Sequence, residues 1–70
     1  MATITEIQKN LREAILTSTI PKKEIAKQLG VNPSTISKYL HCDKFPSIDT
    51  FAKLCEILDV SSDEILGLKD

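Results

Sequence analysis

The chain is poor in several of the residues that mark protein classes. Its 70 residues include two cysteines, two glycines, three prolines, three aromatic side chains and no tryptophan. Cys42 and Cys55 are too few and too far apart for a CxxC redox pair or a cysteine-rich zinc site, and read as free thiols of a reducing compartment. The scarcity of glycine and proline excludes a low-complexity chain. No apolar run exceeds three residues, which excludes a membrane-spanning helix. The start, MATITEIQKN, lacks the apolar core of a secretory signal. The expectation is a soluble, cytoplasmic protein of one domain, residues 1–70, with a small core.

Catalytic signals are missing as well. Ser, His and Asp are present, but none stands in a nucleophile elbow or a glycine-rich loop. His41, Cys42 and Asp43 are neighbours in one loop and cannot easily converge on one metal ion, and no fourth ligand is evident. The chain is therefore expected not to be an enzyme and to need no cofactor, metal or small-molecule ligand.

What is present is a normal globular balance, 41% hydrophobic and 27% charged. The net charge of −1 conceals a strong asymmetry. Residues 1–20 are neutral. Residues 21–44 set five lysines (22, 23, 27, 38 and 44) against Glu24 and Asp43, whereas residues 45–70 set six acids against Lys53 and Lys69. A basic segment of this kind can hold a polyanion although the whole chain is slightly acidic.

Apolar spacing predicts helices throughout and no strand. Ile4, Ile7, Leu11, Ala14 and Ile15 give a first helix over 4–17. Pro21 starts a second, with Ile20 and Ile25 placed as a hydrophobic staple, and Gly30 ends it. Asn32 as cap and Pro33 as first residue begin a third, which runs to Leu40. After a loop at 41–46, Ser47 caps a fourth helix with the inner face Ile48, Phe51, Ala52, Leu54, Cys55 and Leu58. A capping box at Ser61–Glu64 opens a short fifth helix, stopped by Gly67.

The third helix has an unusual surface. With Ile36 set at zero on a wheel of about 100° per residue, Leu40, Pro33 and Tyr39 fall within roughly 60° of it and form the buried side. Ser34, Ser37, Lys38 and His41 lie opposite, and Thr35 is at the border. Small hydroxyl residues and one long cation replace the Glu/Lys mixture of an ordinary solvated helix. Such a face suits the DNA major groove. Small side chains permit close approach, hydroxyls can pair with any base edge, and lysine reaches guanine O6 and N7. Asn32 and Ser34, at the helix start, would lie near phosphates.

The two stretches IPKKEIAKQLGVNPSTISKYL and FPSIDTFAKLCEILDVSSDEILG resemble the helix-turn-helix domain of the Cro/repressor (XRE) family of bacterial and phage regulators. The matching residues are Glu24-Ile25-Ala26, Leu29-Gly30-Val31, Thr35-Ile36-Ser37, Tyr39, Pro46-Ser47, Leu54, Leu58-Asp59-Val60 and Asp63-Glu64-Ile65-Leu66. The resemblance implies an all-α, compact five-helix bundle of the lambda-repressor-like kind, with the helix-turn-helix unit at about 21–40. It implies a sequence-specific transcriptional regulator, expected to be a repressor, whose partner is double-stranded DNA. Base contacts would fall on Pro33, Ser34, Ser37 and Lys38, with Thr35 nearby. Phosphate contacts would fall on Lys22, Lys23, Asn32, Tyr39, Lys44 and Ser47. Readers of two half-sites are dimers, so a homodimer through the fourth and fifth helices is expected, using Ile65, Leu66 and Leu68.

The chain departs from the family where Leu40-His41-Cys42-Asp43 replaces the usual Glu-Asn-Gly-Lys. With Cys42 in place of glycine, either a positive φ is held at a cost of about 1 kcal/mol or the loop differs. The rival reading is a protein-interaction module on the same scaffold, such as an antitoxin or a partner of a larger regulator.

Overall fold

Thr3 caps the first helix. In the computed structural model, which describes residues 3–68, its Oγ1 accepts the Glu6 N–H at 3.3 Å, and its own N–H donates to Glu6 Oε1 at 3.4 Å. This reciprocal capping box satisfies two donors at the start of α1, Ile4–Thr17. Its sequence signature is Thr3-Ile4-Thr5-Glu6, a signal separate from apolar periodicity. Four more helices follow: α2 (Lys22–Leu29), α3 (Pro33–Leu40), α4 (Ile48–Leu58) and α5 (Ser62–Leu66). The helix boundaries expected for α1, α3 and the glycine stops hold. Pro21, however, is the cap of α2, whose first helical residue is Lys22.

Capping elsewhere differs from expectation. Asn32, Ser47 and Ser61 occupy the cap positions, but none makes a side-chain cap bond. The Ser61–Glu64 box is thus not formed; the backbone N–H groups of Glu64 and Ile65 donate instead to the Ser61 carbonyl. The Ser47 hydroxyl lies 2.7 Å from Asp49 Oδ1 and 3.0 Å from Thr50 Oγ1.

The helix ends are more uniform. In α2 to α5 the N–H of the residue that follows a left-handed one reaches back to a carbonyl five residues earlier: Val31 to Ala26, Asp43 to Lys38, Val60 to Cys55 and Leu68 to Asp63. These are Schellman closures, which need a left-handed residue at the turn. Gly30 and Gly67 supply it at φ 80° and 72°, whereas Cys42 and Asp59 hold φ 59° and 55°. Of the two alternatives at Cys42, the positive φ is the one present.

One fully buried side chain from each of the first four helices meets at the centre: Leu11, Ile25, Ile36 and Leu54. Ile7, Ile15, Tyr39, Leu40, Phe51, Cys55, Leu58 and Ile65 surround them. α2 packs on α3 and α4, and α1 packs on α3 and α5. Asn10 ties the ends of the chain by donating Nδ2–H to the Ile65 carbonyl at 3.0 Å, across 55 residues. Phe45 meets Phe51 with ring centroids 5.6 Å apart, which pins the loop after α3 to α4.

Two helical faces need correction. Ile48 is 88% exposed and Ala52 is exposed, so the inner face of α4 is Phe51, Leu54, Cys55 and Leu58. Ala52 is about 110° from the centre of that stripe, and Ile48 sits in a first turn that overhangs the core. Pro33 is exposed rather than buried, for the same reason of position at a helix start. The Lys69 and Asp70 charges lie outside the described residues.

A candidate nucleic-acid interface on the second and third helices

The tight turn at Gly30–Asn32 sets the angle between α2 and α3. Ile25 and Ala26 of α2 and Ile36, Tyr39 and Leu40 of α3 face inward. The opposite face of α3 is thereby directed outward. Ser34, Ser37 and Lys38 are exposed, Thr35 is half-buried, and Pro33 and Asn32 stand exposed at the helix start. Among the described residues no other element covers this face, which leaves it open to a groove of suitable width. His41 is exposed beside it as the C-cap residue.

Around this face the charge is positive. Lys22, Lys23, Lys27 and Lys44 are all exposed. Lys22 and Lys23 occupy the first two positions of α2, where the helix dipole disfavours cations and favours anions. The N–H groups of that turn also have no side-chain cap. Glu24, in the same first turn, offsets part of that unfavourable charge.

The remaining expected phosphate residues are placed less openly. Tyr39 is 4% exposed, so its ring belongs to the core, and burial raises its phenol above the usual range. At most its hydroxyl edge is available. Ser47 is exposed but hydrogen-bonds Asp49, whose carboxyl is held below its ordinary range first by that bond and then by the Thr50 N–H. Lys27, outside the expected phosphate set, is exposed on the same helix as Lys22 and Lys23. It lies one helical turn from Lys23, at i, i+4 spacing.

Among the described residues, no three or more His, Cys, Asp or Glu side chains gather as a metal site. No described helix is long and apolar enough to cross a membrane. Cys55 is buried, which pushes its thiol pKa upward, whereas Cys42 is exposed.

Residues 9–65 match the helix-turn-helix family. The chain belongs to the Cro/repressor-type helix-turn-helix family. Membership and the all-helical architecture together make it a lambda-repressor-like domain, and a DNA-binding helix-turn-helix regulator. The family is one of DNA-binding domains rather than of enzymes. Comparison with curated proteins and with solved structures gave no match.

The apolar residues expected at a dimer contact are placed differently. Ile65 is only 4% exposed and packs in the core, because α5 is anchored there by Asn10. Leu66 is half-buried and Leu68 is 57% exposed. Beside them a cleft of about 590 Å³ runs between α4 and α5, with Ile48, Ala52 and Leu66 on its apolar lining and Glu56 and Asp59 at its edge.

Proposed function

We propose that the chain is a sequence-specific transcriptional regulator that lays α3 in the major groove, and that it represses by occluding the DNA it covers. The carrying observation is the outward face of Ser34, Ser37 and Lys38, backed by Ile36, Tyr39 and Leu40 and flanked by exposed lysines. Pro33, Ser34, Thr35, Ser37 and Lys38 are the proposed base-facing set. Lys22, Lys23, Asn32 and Lys44 are the proposed phosphate set, with the hydroxyls of Tyr39 and Ser47 as lesser members. The uncapped start of α2, with its two lysines, supports the phosphate assignment.

A homodimer is part of the proposal. Half-sites one helical turn apart lie about 34–36 Å centre to centre. A domain with extents of 31 × 23 × 22 Å has a fitting size for two copies to meet over that spacing. Ile48, Leu66 and Leu68 are the proposed contact residues, with Ile65 supporting them from the core.

The second reading, a protein-interaction module, draws on the same α4–α5 cleft and its acidic edge. Selection of genomic DNA fragments by the purified protein, at two salt concentrations, separates the two. A regulator enriches a common sequence, and its affinity falls with salt at a slope of about −0.9 per phosphate contact. An interaction module enriches no sequence and co-purifies a protein instead.

A further inference from the structure

Proline is a strange residue to find at the tip of a helix that reads bases. Its ring can neither donate nor accept a hydrogen bond, and it has no backbone N–H. At a base pair facing Pro33, the polar groove edges gain nothing from it. The one major-groove feature that an apolar ring can favour is the C5 methyl of a pyrimidine.

The surroundings of Pro33 strengthen this point. Pro33 forms one wall of a cleft of about 520 Å³ between the starts of α2 and α3. Exposed Pro21 and half-buried Val31 share its apolar surface, over Ala26. Lys23 and Lys27, both exposed, stand on the same lining. Glu24 is the single acid there, and its carboxylate accepts a hydrogen bond from Gln28 Nε2 at 3.3 Å. An apolar surface edged by two cations matches a nucleotide that offers a methyl group on its base and an anion on its backbone.

We propose that Pro33 is the thymine reader of this protein: the C5 methyl seats against Pro33, Pro21 and Val31, and a phosphate of the same strand meets Lys23 and Lys27. This deepens the DNA-reading assignment and rests on it. It gives Pro33 a specificity role of its own and adds Lys27 to the phosphate set. The methyl is chemically shared with 5-methylcytosine, so the two sources need separate arms.

The probe is the duplex most enriched from a random-sequence pool. Each thymine is replaced in turn by deoxyuridine, which removes only the methyl. One position should then bind about fourfold more weakly, the effect of one buried methyl group. At that position, cytosine and 5-methylcytosine form the second arm, with a similar gain from the methyl expected. Tighter binding of thymine than of 5-methylcytosine assigns thymine as the source, and the reverse order overturns that choice. In Pro33→Ser the thymine-to-uracil difference should fall below about twofold while binding to the duplex persists. Persistence of the full difference in Pro33→Ser would move the methyl contact to another residue and overturn the assignment. Equal binding of thymine and uracil at every position overturns it too, and leaves DNA reading intact. Enrichment of no duplex at all removes both.

Discussion

Cys42→Gly offers a sharp test of how α3 is closed. Cys42 is exposed, so its side chain contributes no core packing that could be lost. Its backbone sits at φ 59°, inside the Schellman closure in which Asp43 N–H reaches the Lys38 carbonyl at 2.9 Å. A side chain in that region costs about 1–2 kcal/mol relative to glycine. Glycine gives back about 0.4–1 kcal/mol through the greater freedom of the unfolded chain. The net expectation is a gain of roughly 0.5–1 kcal/mol, since the first range exceeds the second by about that much. For a domain of this size, that corresponds to a rise in Tm of about 3–7 °C. Thermal melts by circular dichroism, under reducing conditions, measure it. Cys42→Ala is the control, because alanine keeps the strain and removes only the thiol. An unchanged or lower Tm in the glycine variant, or an equal gain in the alanine variant, would refute the argument from backbone strain.

Three further outcomes follow from burial. Leu54→Ala removes a side chain with no exposure at the meeting point of the helices, and should destabilise the fold by about 2–5 kcal/mol in urea titrations. Iodoacetamide should label Cys42 in the native protein and leave Cys55 unmodified until denaturant is added, as read by mass spectrometry; early labelling of Cys55 would contradict its placement. Tyr39 is the only tyrosine, so absorbance near the phenolate band reports on it alone. Its folded pKa is raised by burial, so folding disfavours the phenolate. Its contribution to stability is then complete below the unfolded value near 10 and declines as pH rises through the folded value. The titration midpoint should fall from above 10 towards about 10 when the chain is unfolded.

The parts of this fold that were readable from sequence are those governed by local chemistry. Gly30, Gly67 and Pro33 mark helix ends because their backbone preferences act within a few residues. The strain at Cys42 was readable as a glycine displaced from its usual place. Asp59 gave no comparable signal, although it adopts the same left-handed turn. Ile48 was misplaced because a helical wheel gives direction around an axis but not whether a first turn extends past the core. Ile65 was assigned to the surface because a five-residue helix is too short for periodicity to select its inner face. The bond from Asn10 to the Ile65 carbonyl, which decides that face, joins residues far apart in sequence and has no local signature. The outward face of α3 was legible because its eight residues span two turns with Ile36, Tyr39 and Leu40 as fixed reference points. The pairing of Lys23 with Lys27 beside Pro33 required the packing of α2 against α3.

The base-reading role of the exposed α3 face is tested most directly by comparing Lys38→Ala with Lys22→Ala on the enriched duplex and on random duplex. Lys38→Ala should cost about 1–3 kcal/mol on the enriched duplex and much less on random DNA. Lys22→Ala should weaken both alike and reduce the salt slope by about one. An equal loss on both duplexes for Lys38→Ala would contradict the account.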